Sequence, residues 1–217
     1  MGTTIVLRDD RRQIADVDLE DVRCRMAWHA NAAFVTARRE HYRLCRFLAS
    51  HFPGALILDV GTYLGASALS LSLPNHGNTV VSFDVVDHMP PPPTVCARDA
   101  APDIELRIQD VTDEDNRGVL PALLADARGV PIVMLDVNHD GVAEREVYRI
   151  LCESTPRFRG LLVVDDIHLN DAMRAFWSDD ISSDHKKLDV TRFGHWSGTG
   201  IVVFDPSHID VRVPAIP

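Results

Sequence analysis

Positive charge is scarce in this chain, and the scarcity excludes more than most of the residues present. Lys and Arg total 22 against 32 Asp and Glu, for a formal net charge of −10. A phosphate backbone is gripped by cations that displace its counterions. Here Arg11-Arg12 and Lys186-Lys187 are isolated doublets without interleaved aromatics, so nucleic acid is not expected as a partner. Cysteine is thin as well. Cys24, Cys45, Cys96 and Cys152 are widely spaced and form no CxxC, so neither a zinc framework nor a disulfide framework is expected, and buried free thiols are the reading. No apolar run approaches the ~20 residues that span a bilayer. The opening Met-Gly-Thr-Thr-Ile-Val-Leu-Arg-Asp-Asp meets charge too soon for a signal peptide, so no membrane partner and a cytoplasmic location are expected. What remains is 217 residues, 46% hydrophobic and 25% charged, which suits one globular domain with one sizeable core. A homodimer is the default expectation for such a chain.

Proline and glycine are absent from Leu19 to Phe52, and apolar residues such as Phe34, Tyr42, Leu44, Phe47 and Leu48 recur at helical intervals. The spacing predicts helix over residues 20–51, stopped by Pro53-Gly54. Short runs rich in Val, Ile and Leu follow at Ala55–Val60, Thr79–Val86, Ile104–Ile108, Pro131–Leu135 and Leu161–Val164. They do not alternate strictly, which is the signature of strands covered on both faces. Helix-length segments separate them, for example Val142–Cys152 after Asp140-Gly141. Near the end, Lys187–Phe193 and Gly200–Asp205 are strand-like and joined by a short Gly-rich link, which suits an antiparallel hairpin. The expected fold is α/β: a doubly wound, Rossmann-like seven-stranded sheet, mostly parallel with an antiparallel C-terminal hairpin.

Each of the first five strands ends in, or is followed at once by, an aspartate: Asp59, Asp84, Asp110, Asp136 and Asp165, at intervals of 25, 26, 26 and 29 residues. In an open parallel sheet these strand ends share the edge where ligands bind. After the first strand comes Gly61-Thr-Tyr63-Leu-Gly65-Ala-Ser67, whose glycines let backbone approach a ligand. Its spacing is not GxGxxG, which weakens a nicotinamide reading.

Asp59-Val-Gly61-Thr-Tyr63-Leu-Gly65-Ala-Ser67 resembles the first motif of class I S-adenosylmethionine-dependent methyltransferases. Ser82-Phe-Asp84 resembles their second, whose acid holds the ribose hydroxyls, and Ile108-Gln-Asp110-Val the segment flanking the adenine. Two neutral hydroxyls suit a carboxylate acceptor. The resemblance runs over roughly residues 55–205. It implies a core over residues 55–217 that binds S-adenosylmethionine through Asp59, Gly61, Tyr63, Gly65, Ser67, Asp84, Asp110 and Asp136. It also implies that residues 1–54 form a helical lid segment packed on that core.

The second half is similar to metal-dependent O-methyltransferases of the catechol and macrolide-sugar type, through Val133-Met-Leu-Asp136-Val-Asn-His139 and Leu161-Leu-Val-Val-Asp165-Asp166-Ile-His168. Carried over, Asp136, Asp165 and Asp166 would bind a divalent metal. Oxygen-only ligands favour Mg²⁺, with Mn²⁺ as the second choice. Asp166 stands where catechol-type enzymes carry an amide, which leans toward the macrolide-sugar type. His139, three residues past Asp136, is the implied base, with His168 its rival and His29 and His195 behind. Trp28-His29, Arg192, His195 and Trp196 are the candidate substrate contacts. The implied activity is Mg-assisted methylation of a hydroxyl on a small molecule such as a sugar, phenol or polyketide-like natural product. Two alternatives stay open: a metal-independent methyltransferase of the same fold, and a binding module that transfers nothing.

Overall fold

A computed structural model describes residues 2–7, 12–20, 22, 41–72, 77–88, 104–127 and 129–214. In chain order it contains β1 (Thr3–Val6), α1 (Arg12–Ala15), α2 (Tyr42–Ser50), β2 (Leu56–Val60), α3 (Ala66–Ser72), β3 (Thr79–Asp84), β4 (Ile104–Ile108), α4 (Val119–Ala125), β5 (Ile132–Leu135), α5 (Val142–Glu153), β6 (Leu161–Asp165), α6 (Asp171–Ala175), β7 (Lys186–Asp189), β8 (Thr199–Val203) and β9 (Ile209–Arg212). Seven strands form one sheet in the order β4-β3-β2-β5-β6-β8-β7. Neighbours from β4 to β6 are parallel, while β8 runs antiparallel to both β6 and β7. The expected sheet and terminal hairpin are therefore present.

Both faces of the sheet are buried, which explains why the strands read as unbroken apolar runs. Ile57, Val80, Ile132, Met134, Leu161 and Val163 pack on one side with α2, α3 and the β1/β9 ribbon. Their neighbours Leu58, Val81, Val133, Leu135, Leu162 and Val164 pack on the other side with α4, α5 and α6. Truncating any of the Leu, Ile or Met residues among them to Ala is expected to cost about 2–5 kcal/mol. The outer strands carry charge instead, Glu105 and Arg107 on β4 and Lys186 and Lys187 on β7, which discourages further strand addition.

Three boundaries differ from the sequence reading. Thr3–Val6 lies in a segment expected to be helical, yet it is a strand paired in parallel with Ile209–Arg212. The third strand stops at Asp84 rather than Val86, because Asp84 Oδ1 accepts the Val86 N–H at 3.1 Å and turns the chain. The seventh stops at Asp189 rather than Phe193, because Asp189 Oδ1 accepts both the N–H and the hydroxyl of Thr191, and a 3₁₀ turn over Thr191–Phe193 follows. Asp side chains that bond two residues ahead compete with the sheet ladder. Of the described cysteines, Cys45 is buried and free as expected, but Cys152 is exposed near the end of α5.

The chain builds β2, β3 and β4 outward in one direction, then returns to lay β5 and β6 on the other side of β2. The reversal falls between β2 and β5. A crevice opens at the carboxyl ends of strands at such a reversal, and that crevice is where open α/β sheets bind ligands.

Candidate functional site

Period-two alternation decides which aspartates meet. Asp59 follows Ile57, Asp136 follows Met134, and Asp165 follows Val163, each two residues on, so all three project toward α2 and α3. Asp59 is fully buried. Its Oδ2 accepts hydrogen bonds from Ser67 (3.0 Å) and Ser82 (2.6 Å), and Ser82 also bonds Thr62 at 2.6 Å. These bonds tie the loop after β2 to α3 and β3. Burial pushes the Asp59 carboxyl up to about 6, against the pull of the two hydroxyls.

Gly61 sits at the reversal with φ +105°, and a Cβ there would lie 1.6 Å from the Asp136 carbonyl oxygen. Only glycine permits this approach. The Gly61 and Thr62 N–H groups both reach the Phe83 carbonyl, at 2.9 and 3.0 Å, which bends the loop over β3. Asp84 then receives the Tyr63 N–H on Oδ2 at 2.7 Å. Among the described residues, the non-glycine positions with positive φ are Tyr63 (45°), His139 (59°) and Asp166 (59°). All three lie in loops that leave the carboxyl ends of β2, β5 and β6. Such conformations cost about 1–2 kcal/mol each and gather where a binding site is being shaped.

A cavity of about 370 Å³ opens beside these loops, lined by Val60, Gly61, Tyr63, Phe83, Asp84, Val85, His88, Gln109, Asp110, Val111, Thr112, Asp136, Val137, Asn138, His139 and Ala143. That size suits a small molecule. Five of the expected cofactor contacts, Gly61, Tyr63, Asp84, Asp110 and Asp136, stand in its wall. Asp59, Gly65 and Ser67 do not; they build the loop from behind. Asp110 spends one oxygen on the N–H and hydroxyl of Thr112. The wall carries three carboxylates and, among the described residues, no Lys or Arg.

His139 is held at both ends of its backbone. Its N–H donates to Glu144 Oε1 (2.8 Å) and its carbonyl accepts from Asn170 Nδ2 (2.8 Å). Its Nε2 lies 3.6 Å from Asp136 Oδ1 and 3.4 Å from Asp166 Oδ2, so the ring stands between the β5 and β6 tips. His168 is engaged elsewhere, with Nε2 2.8 Å from Asp189.

Three residues at the site were ranked low or passed over in the sequence. His41, at the N-terminus of α2, is 1% exposed, with Nδ1 3.1 Å from Asp165 Oδ2 and Nε2 4.0 Å from Asp136. His195 Nδ1 lies 3.1 Å from Asp165 and 2.9 Å from Asp166. Ser197 donates a very short hydrogen bond to Asp166 Oδ1. Burial alone would lower the His41 pKa, but Asp165 and then Asp136 raise it to about 9. Burial likewise opposes ionisation of Asp165, yet His41 and His195 hold it well below the usual carboxylate range. Asp136 moves the other way, raised by burial and then by the charge of Asp165. Among the described residues, the set whose donor atoms all lie within 4.8 Å of one another is His41, Asp165 and His195. Trp28 and His29 lie outside the described residues. Arg192 Nη2 donates to the Pro214 carbonyl, and Trp196 is 68% exposed beside His195.

Comparison with protein-family models and with curated proteins gives no match. Solved structures do match. A methyltransferase of Podospora anserina bound to SAH is 14% identical, over 86% of this chain and 88% of that one, with a TM-score of 0.61. A methyltransferase from Geobacter sulfurreducens is 15% identical over 86% and 90%, with a TM-score of 0.53. The O-methyltransferase TomG of Streptomyces achromogenes, involved in tomaymycin synthesis and solved with SAM, is 17% identical over 87% and 91%, with a TM-score of 0.52. The chain has the Rossmann-like fold of these methyltransferases.

Proposed function

We propose that the protein is an S-adenosylmethionine-dependent O-methyltransferase acting on a hydroxylated small molecule. The observation that carries this reading is the sign of the cavity wall: Asp84, Asp110 and Asp136 without a Lys or Arg among the described residues. Dinucleotides and nucleoside triphosphates bring phosphates that such a wall repels. A sulfonium donor brings a positive charge and no phosphate. Asp84, with one backbone N–H on each oxygen, keeps lone pairs for two ribose hydroxyls. Gly61 admits the donor's chain against the loop backbone, and Gln109 to Thr112 form the wall on the β4 side.

S-adenosylmethionine, when bound, supplies a methyl group that passes directly to an acceptor oxygen. The chain's own task is to place that oxygen, remove its proton and keep water out. His139 lines the cavity and is oriented through Glu144 and Asn170, so its ring is the group to take the acceptor proton. Trp196 offers an exposed aromatic face beside His195 for the acceptor.

A divalent cation would serve this machinery. Asp165 and Asp166 are buried at the β6 tip, and the charges of both press on Asp136 at the β5 tip, a repulsion that a cation would relieve. Asp165, Asp136 and Asp166 would hold it, and it would lower the pKa of the acceptor hydroxyl. One observation favours a metal-independent reading: His41 and His195 already offset the charge of Asp165. Methyl transfer from labelled S-adenosylmethionine across a panel of sugars, phenols and polyketides tests the activity. Chelation followed by Mg²⁺ readdition separates the two versions, and indifference to the chelator removes the metal. A chain that neither binds SAH nor turns over any acceptor overturns the proposal.

A further inference from the structure

We propose that His41, Asp165 and His195 form a mixed nitrogen–oxygen site for a transition-metal dication of the Mn²⁺, Co²⁺ or Zn²⁺ kind, so that a cation at Asp165 is held by nitrogen as well as by oxygen. This deepens the methyltransferase reading and rests on it for its purpose, though the site stands on its own geometry.

The first observation is the spacing. One carboxylate oxygen, Asp165 Oδ2, lies 3.1 Å from His41 Nδ1 and 3.1 Å from His195 Nδ1. Ligands bound at about 2.1 Å and separated by roughly 90–110° stand about 3.0–3.4 Å apart. The second is the state of His41. The residue is almost wholly buried, and neither ring nitrogen makes a hydrogen bond. Its Nδ1 stands 3.1 Å from Asp165 Oδ2 as an ion pair, without the geometry of a hydrogen bond. Two donors that approach without addressing each other can both address a third atom. The position of His41 is no accident of a mobile surface, since α2 is fixed to the sheet through Leu44, Cys45 and Leu48.

The third observation is the donor set. Two imidazoles and a carboxylate match first-row transition metals, whereas Mg²⁺ takes oxygen and retains water. Asp136, 4.0 Å from His41 and in the cavity wall, connects this site to the place where the acceptor would lie.

The test uses the full chain, stripped with chelator and dialysed. Co²⁺ is titrated by visible d–d absorption, and Mn²⁺ is followed by pulsed EPR for ¹⁴N coupling. The expected result is one ion per chain with nitrogen coupling and no displacement by excess Mg²⁺. His195→Ala, at a partly exposed position, should weaken Co²⁺ binding at least about tenfold, since losing even a supporting partner of a ligand costs that much. His41→Ala should abolish the coupling of its own nitrogen in chains whose circular dichroism is native. Binding without nitrogen coupling, or binding indifferent to His195→Ala, overturns the site. SAH titration separates the two claims. A chain that binds SAH but takes up neither ion sinks the metal site and leaves the transferase reading. Nitrogen-ligated Co²⁺ without SAH affinity supports the metal site and sinks the transferase reading.

Discussion

Removing the Asp84 carboxylate should reveal what the cavity holds. Asp84 closes β3, and its two oxygens accept the N–H groups of Tyr63 (2.7 Å) and Val86 (3.1 Å). Those bonds lie at the exposed edge of the loop, where water can replace them, so Asp84→Ala should leave the fold intact. In the proposed complex the same carboxylate accepts two ribose hydroxyls. Hydrogen bonds to a charged group contribute about 1.5–3 kcal/mol each. Losing two should weaken SAH binding by about 3–6 kcal/mol, or roughly 10²–10⁴-fold. Isothermal titration of SAH into wild type and Asp84→Ala measures this directly. Asp110→Ala is the comparison, because one Asp110 oxygen is already committed to Thr112, and its effect should be smaller. If Asp84→Ala binds SAH within about threefold of wild type, roughly 0.65 kcal/mol, the assigned role of Asp84 is refuted.

Other expectations concern the loop, the buried acid and the base. Gly61→Ala forces a Cβ onto the Asp136 carbonyl at a positive φ, so it should destabilise by about 3 kcal/mol or more in urea melts. Asp59 is raised from 3.8 to about 6, so between those values the native chain keeps a proton that the unfolded chain has released. Its contribution to stability therefore falls as pH rises through that window, by up to about 3 kcal/mol. Asp59→Asn should gain stability relative to wild type from about pH 4 to pH 7, and a pH-independent difference would contradict the assignment. His139→Ala should lower turnover by about 10²–10⁴-fold while SAH affinity stays within about twofold. Equal loss of both would make His139 a structural residue.

Much of this was legible in the sequence because buried parallel strands advertise themselves. Leu58 and Val133 belong to one core and Ile57 and Ile132 to the other, so the strands read as apolar throughout and their aspartate ends stand out. The cavity wall shares Gly61, Tyr63, Asp84, Asp110, Asp136 and His139 with the motif reading for the same reason. His41 carried no such mark. It sits at the start of a helix more than a hundred residues from Asp165, and only the packing of α2 over the sheet brings them together. His195 was ranked behind His168 on distance along the chain from Asp166. Yet β8 runs antiparallel to β6 and returns His195 to the tip of β6, while His168 turns away to Asp189. Glu144 carried no mark in the sequence either, and its part-buried bond to the His139 N–H goes with the left-handed turn at His139. The β1/β9 pair was hidden because Thr3–Val6 is four residues long and its partner lies at the far end of the chain.

The most direct measurement is a crystal of the wild-type protein soaked with SAH. Density for a ribose against Asp84, with the homocysteine sulfur turned toward Asp136 and His139, is the predicted outcome. An empty cavity at saturating SAH, or the ligand seated away from Gly61, would contradict the account.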